Sequence, residues 1–159
     1  MYPYWILICI MTTIHLTTEI KASIEKCFDL SRDVDAHKLS AKESNEIAVA
    51  GRTTGLCELG DTITWEATHF GITQNLTIEI TQFNRPFFFE DKMLKGAFKS
   101  MRQEHHFEER KGSTMMTDKF QYDVPLGVIG QLFDKIILRR YMTRFLLKRN
   151  QILKALAEN

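Results

Sequence analysis

The sequence predicts an α+β domain: a curved seven-stranded antiparallel sheet wrapped around a long C-terminal helix, with two short helices after the first strand. Three observations carry this. From Asp61 to Val124, five successive segments alternate apolar and polar residues, the period of half-buried strands. Short turn signals join several of them: Phe70-Gly71, Asn84-Arg85 ahead of Pro86, and Lys111-Gly112. Beyond Pro125 the period lengthens to that of a helix and holds to about Ala157.

Each element has its own local reason. Thr12 to Ile20 alternates like an edge strand. Ser23 can cap a short helix in "SIEKCFDLS", whose apolar side is Ile24, Cys27, Phe28 and Leu30. A second short turn, "DVDAHKLS", follows, then strand-like "NEIAVAGR" and a glycine-bearing loop from Thr53 to Gly60. The five alternating segments span 61–69, 72–82, 87–95, 99–110 and 113–124. The last helix presents Ile129, Phe133, Ile136, Ile137, Phe145, Ile152, Leu153 and Leu156 as its apolar stripe. At 1.5 Å per residue it is roughly 45 Å long. A sheet with one apolar face must be covered, and only this helix is large enough to do it. The space left between them is where a ligand would sit.

The bulk properties bound the rest. At 159 residues the chain suits one domain, placed at residues 12–157, with no repeats or linker. Its 21 basic and 20 acidic residues give no global electrostatic case for nucleic acid. Cys9, Cys27 and Cys57 are odd in number and widely spaced, so they read as free thiols of a reducing, cytoplasmic setting. Residues 1–11, "MYPYWILICIM", are too short an apolar run to span a bilayer and have no basic residue ahead of them. They read as an extension outside the fold, the alternatives being a degenerate signal or membrane anchor and a strand extension or partner contact. No phosphate-binding, nucleophile-elbow or metal-ligand motif is present, and neither cofactor nor metal is expected.

Tight turns allow strand registers to be derived. A two-residue loop at Lys111-Gly112 sets Met101 opposite Tyr122, Gln103 opposite Phe120, His105 opposite Asp118 and Phe107 opposite Met116. The same argument at Phe70-Gly71 sets Trp65 opposite Leu76. At Asn84-Arg85 it sets Ile78 opposite Asp91 and Ile80 opposite Phe89. One sheet face then collects a mainly apolar set, Phe87 and Met93 included, with His69, Asp91, Gln103, His105 and Asp118 as its polar members. Polar groups in such a place must pair, meet water or meet a ligand. His105 with Asp118 is the expected pair, with Asp91 close enough to join. It reads first as a buried structural bond, then as a ligand anchor, and last as an acid/base group.

The order of elements resembles the helix-grip fold of the START/SRPBCC superfamily, which includes birch-pollen-allergen-like proteins and polyketide cyclases. The resemblance covers about residues 12 to 157. It is carried by "GLCELGDTITWEATHFGI", "RPFFFEDKMLKGAFKSMRQEHHFEE", "GSTMMTDKFQYDVPLG" and the basic terminal helix ending "LLKRNQILKALAE". The chain looks like small bacterial ligand-binding members of the polyketide cyclase/dehydrase-like type, and the resemblance implies a lipid- or polyketide-like ligand.

Three functions follow as expectations. In the first, a small hydrophobic molecule lies between sheet and helix, clasped by Trp65, Phe89, Met101, Phe107, Phe120 and Tyr122. His69, Asp91, Gln103, His105 and Asp118 would orient it, and Arg140 would reach toward a ligand carboxylate. In the second, a cyclase- or dehydratase-type enzyme uses His105, oriented by Asp118, to move protons. In the third, the protein acts through its basic C-terminal helix. From Gln131 on, that helix carries seven basic residues against Asp134 and Glu158, suited to weak contact with a membrane surface or an acidic partner.

Overall fold

The computed structural model describes residues 11–159. The expectation for the N-terminal apolar segment falls, apart from Met11, outside the described residues.

Among the described residues the sheet has seven strands: β1 (Thr12–Ile20), β2 (Ile47–Gly51), β3 (Thr62–His69), β4 (Ile72–Asn84), β5 (Phe88–Lys95), β6 (Ser100–Arg110) and β7 (Ser113–Asp123). Their spatial order is β1-β7-β6-β5-β4-β3-β2, every pair antiparallel. Helices α1 (Ile24–Ser31) and α2 (Val34–Ser40) follow β1. Both are capped by side chains: the Ser23 hydroxyl accepts from Lys26 N–H and the Asp33 carboxylate from Asp35 N–H. α1 plugs one end of the fold with Phe28, which meets Phe83, Phe89 and Phe107 edge-on at 5.3 to 5.4 Å.

The two tight-turn registers hold. Met101, Gln103, His105 and Phe107 face Tyr122, Phe120, Asp118 and Met116, and Trp65 faces Leu76. The register derived at Asn84-Arg85 is wrong. Ile78 faces Met93, Ile80 faces Asp91, and the ladder slips between Ile80 and Gln82. Pro86 is the reason: the derived register needs it as a ladder residue, and proline has no N–H to donate. The turn therefore extends through Phe87, whose N–H reaches Asn84 O at 2.8 Å, and Phe87 is left exposed.

The C-terminal rod is α3 (Gly127–Phe133), a wider π-helical turn over Asp134–Leu138, and α4 (Arg139–Glu158). It covers the sheet with only the second half of the expected stripe: Leu153 is buried and Phe145, Ile152 and Leu156 are half-buried. Ile129, Phe133, Ile136 and Ile137 are exposed, and the buried positions of the rod include Gly130, Asp134, Met142, Leu146, Arg149, Asn150, Leu153 and Ala157. Two local facts turn the first half this way. A Cβ on Gly130 would lie 1.9 Å from Pro125 O, so only glycine lets this turn pack so closely. Asp134 is held inward by hydroxyl donors from Tyr122 and Thr12, each at 2.5 Å.

Candidate functional site

Between sheet and rod lies a cavity of about 540 Å³, inside the range of roughly 300–1,000 Å³ common for small-molecule sites. Alternation along the strands builds most of its wall: Ile63, Trp65 and Ala67 of β3, Ile78 and Ile80 of β4, Phe89 of β5, Met101 of β6 and Phe120 of β7. Leu138 and Met142 of the rod close it from above, and His37 of α2 lies against Trp65 with ring centres 4.2 Å apart. Polar groups gather in two places.

The inner group sits on the central strands. His105 stacks on Phe89 at 4.3 Å, its neighbour across β5 and β6. Its Nε2 lies 3.1 Å from Asp91 Oδ2 and its Nδ1 2.6 Å from Asp118 Oδ1. The second contact is short but badly aligned for a hydrogen bond, so it acts as an ion pair. Behind it, Asn150 donates to Asp118 Oδ2 at 2.5 Å and Arg149 Nη2 stands 3.6 Å from Asp118 Oδ1. Burial works against a charged imidazole, but Asp118 and Asp91 outweigh it and raise the pKa of His105 above the ordinary histidine value. Burial would likewise raise Asp118; His105, Arg149 and Asn150 hold it below the usual carboxylate range instead. The charged form of His105 is thus favoured by a carboxylate at each ring nitrogen. Beside it, Gln103 is buried at 4% exposure, lines the cavity, and has no partner for its Nε2 donor.

The outer group joins four distant segments. Glu46, just before β2, meets His37 Nε2 at 2.6 Å and lies 3.9 Å from His69 Nε2. His69, at the end of β3, has its Nδ1 2.8 Å from the Tyr141 hydroxyl of α4. Burial pushes the His69 pKa below the ordinary value, and Glu46 offsets this only in part, so the ring is neutral near pH 7. Glu46 itself is lowered, the His37 and His69 contacts overcoming its burial.

The expected site residues divide accordingly. Trp65, His69, Phe89, Asp91, Met101, Gln103, His105 and Phe120 line the cavity. Phe107 does not; it packs under α1 against Phe28. Asp118 stands behind His105, and Tyr122 is turned to Asp134. Arg140 is exposed and does not reach the cavity. The arginines that line it are Arg32 and, from the rod, Arg149, each buried at 7% exposure. His37, Glu46, Tyr141, Arg149 and Asn150 were not anticipated. For the four on helices the one sequence signal is polarity beside apolar positions, which an apolar-stripe search discards; Glu46, in the loop before β2, carries none.

No protein-family model matches the chain, and no curated protein matches it in sequence. Solved structures do match in shape. A Thermus thermophilus protein superposes with a TM-score of 0.74 at 17% identity, over 91% of this chain and 95% of that one. A START superfamily protein from Mycobacterium smegmatis gives 0.70 at 17% identity, over 92% and 97%. Norcoclaurine synthase from Thalictrum flavum, in complex with dopamine and hydroxybenzaldehyde, gives 0.66 at 14% identity, over 92% and 86%. At these identities the likeness speaks for architecture. The chain has the helix-grip fold of the START/SRPBCC and birch-pollen-allergen-like proteins.

Proposed function

We propose that the protein binds a small hydrophobic molecule, lipid- or polyketide-like, in the cavity between the sheet and the C-terminal helix. The observation that carries this is the apolar cavity of about 540 Å³ with the unpartnered Gln103 amide in its wall. A buried donor without an acceptor costs about 1–3 kcal/mol, a cost that a ligand oxygen at that point would remove. The ligand on this reading has an apolar body against Trp65, Phe89, Met101 and Phe120, and an acceptor oxygen, such as a carbonyl, at Gln103. The unfilled core counts against a purely structural interaction protein. Cys27 and Cys57, both free and buried, support a reducing compartment such as the cytoplasm.

The enzymatic alternative moves away from His105. Both of its ring nitrogens are taken by carboxylates, so it has no nitrogen left for a substrate proton. A cyclase- or dehydratase-type reaction would instead use His69, neutral and beside the Tyr141 hydroxyl in the cavity wall. The norcoclaurine synthase likeness keeps such chemistry compatible with the fold, which by itself assigns none.

Native mass spectrometry of the protein purified from its source tests the binding reading directly. A co-purifying small molecule is expected. Displacement of the dye 8-anilinonaphthalene-1-sulfonate (ANS) gives a second measure: Ala67→Phe, which fills the cavity, should abolish dye binding. Dye binding unaffected by Ala67→Phe would sink the proposal.

A further inference from the structure

The first half of the C-terminal rod is apolar where it meets solvent. Val128, Ile129, Leu132, Phe133, Ile136 and Ile137 are all exposed, Val128 by 80% and Ile129 by 76%. Spacings of three and four residues place 128, 132 and 136 on one side of the helix and 129 and 133 beside them. Phe70 extends the patch from the β3–β4 turn, its ring 5.9 Å from Phe133. A contiguous apolar face of this kind marks an interaction surface.

Two further observations say what covers it. Lys135, Arg139, Arg140 and Arg144 are exposed along the same stretch of rod. A second copy docked face to face about a two-fold axis would bring these like charges together. An anionic surface instead satisfies both the apolar side chains and the basic ones. The patch also surrounds an opening: Phe70, Leu126, Ile129 and Phe133 are exposed and at the same time line the cavity. A hydrophobic molecule leaving the cavity there meets an apolar rim rather than water.

We propose that this face docks on an anionic lipid bilayer, with the cavity mouth directed into the acyl region so that the ligand passes between membrane and protein. The docking depends only on the exposed face; the passage of ligand rests on the binding function proposed above. Apolar side chains of one helical face would enter the headgroup–acyl boundary, and the neighbouring basic groups would meet lipid phosphates. Among the described residues no helix is long and apolar enough to cross a membrane, so the contact is a surface one.

Co-sedimentation of the full chain with vesicles tests this, using phosphatidylcholine alone or mixed with phosphatidylglycerol. Binding to the mixed vesicles at low salt is expected, weakened by added salt. The variant Val128→Glu, Leu132→Glu, Ile136→Glu should lose it; all three side chains are exposed and outside the cavity lining, so its ANS binding should be unchanged. Lys135→Ala, Arg139→Ala, Arg140→Ala should lower partitioning roughly a hundredfold. Failure of the full chain to bind mixed vesicles at low salt overturns the proposal, as does undiminished binding by the triple glutamate variant. So does a dimer in sedimentation equilibrium that the glutamate variant dissolves, or vesicle binding seen only after residues 1–10 are removed. Vesicle binding by a protein that ignores ANS would remove the cavity function and leave the docking face standing.

Discussion

The two polar groups in the cavity each set a histidine near a carboxylate, yet the two imidazoles shift in opposite directions. His105 has a carboxylate at each ring nitrogen and its pKa is raised; His69 has a tyrosine hydroxyl on one side and a carboxylate only at 3.9 Å on the other, and its pKa is lowered. Both are largely removed from water, so burial alone does not decide the outcome. What decides is whether the opposing charge is close enough to repay desolvation. The inner group is therefore a fixed ionic brace across β5, β6, β7 and α4. The outer one is a set of polar contacts whose proton positions can respond to a ligand.

That contrast can be broken experimentally, and the largest effect belongs to the inner group. Asp118→Ala leaves His105 and Arg149 buried without their shared anion and should cost about 3–5 kcal/mol in urea unfolding. If the loss is under about 1 kcal/mol, the ion pair is not the brace described. The pH dependence comes next. A raised folded pKa means that the His105 contribution is complete below the unfolded value near 6.5 and is lost as pH rises through the folded one. The lowered pKa of His69 has the reverse sign: its contribution is present above about 6.5 and lost as pH falls through the folded value. NMR titration of the ring protons should find His105 titrating above 6.5 and His69 below it; the opposite order would refute the assignment.

Smaller effects sharpen the comparison. Tyr141→Phe should cost about 0.5–1.5 kcal/mol, the value of one hydrogen bond, and change unfolding far less than Asp118→Ala. Gln103→Leu should leave stability unchanged or slightly raised, because an unpartnered amide is removed, while weakening the bound molecule by roughly tenfold. A clear loss of stability in Gln103→Leu would show that the amide already has a partner in the free protein.

The rod shows why some of this was readable in advance and some was not. Registers at Lys111-Gly112 and Phe70-Gly71 followed from two-residue loops and the strict period of strands, and they placed Gln103, His105 and Asp118 correctly. The register at Pro86 failed because one missing N–H lengthened the turn. The first half of the helix face failed for a different reason: apolar periodicity assumes that apolar residues turn inward. Here Asp134, Arg149 and Asn150 turn inward because Tyr122, Thr12 and Asp118 are placed to receive them. The outer group draws on α2, the segment before β2, the end of β3 and α4, and no spacing along the chain links His37, Glu46, His69 and Tyr141.

From sequence alone came the element order, the antiparallel sheet under a terminal helix, and eight of the strand residues that line the cavity, because period and turn chemistry act over a few neighbouring residues. Only the folded chain decided which side of the helix faces the sheet, which arginine of the rod enters the interior, and which way each histidine's pKa moves. Those choices depend on where charges from remote segments stand relative to one another once water has been excluded, and local pattern carries no record of such distances.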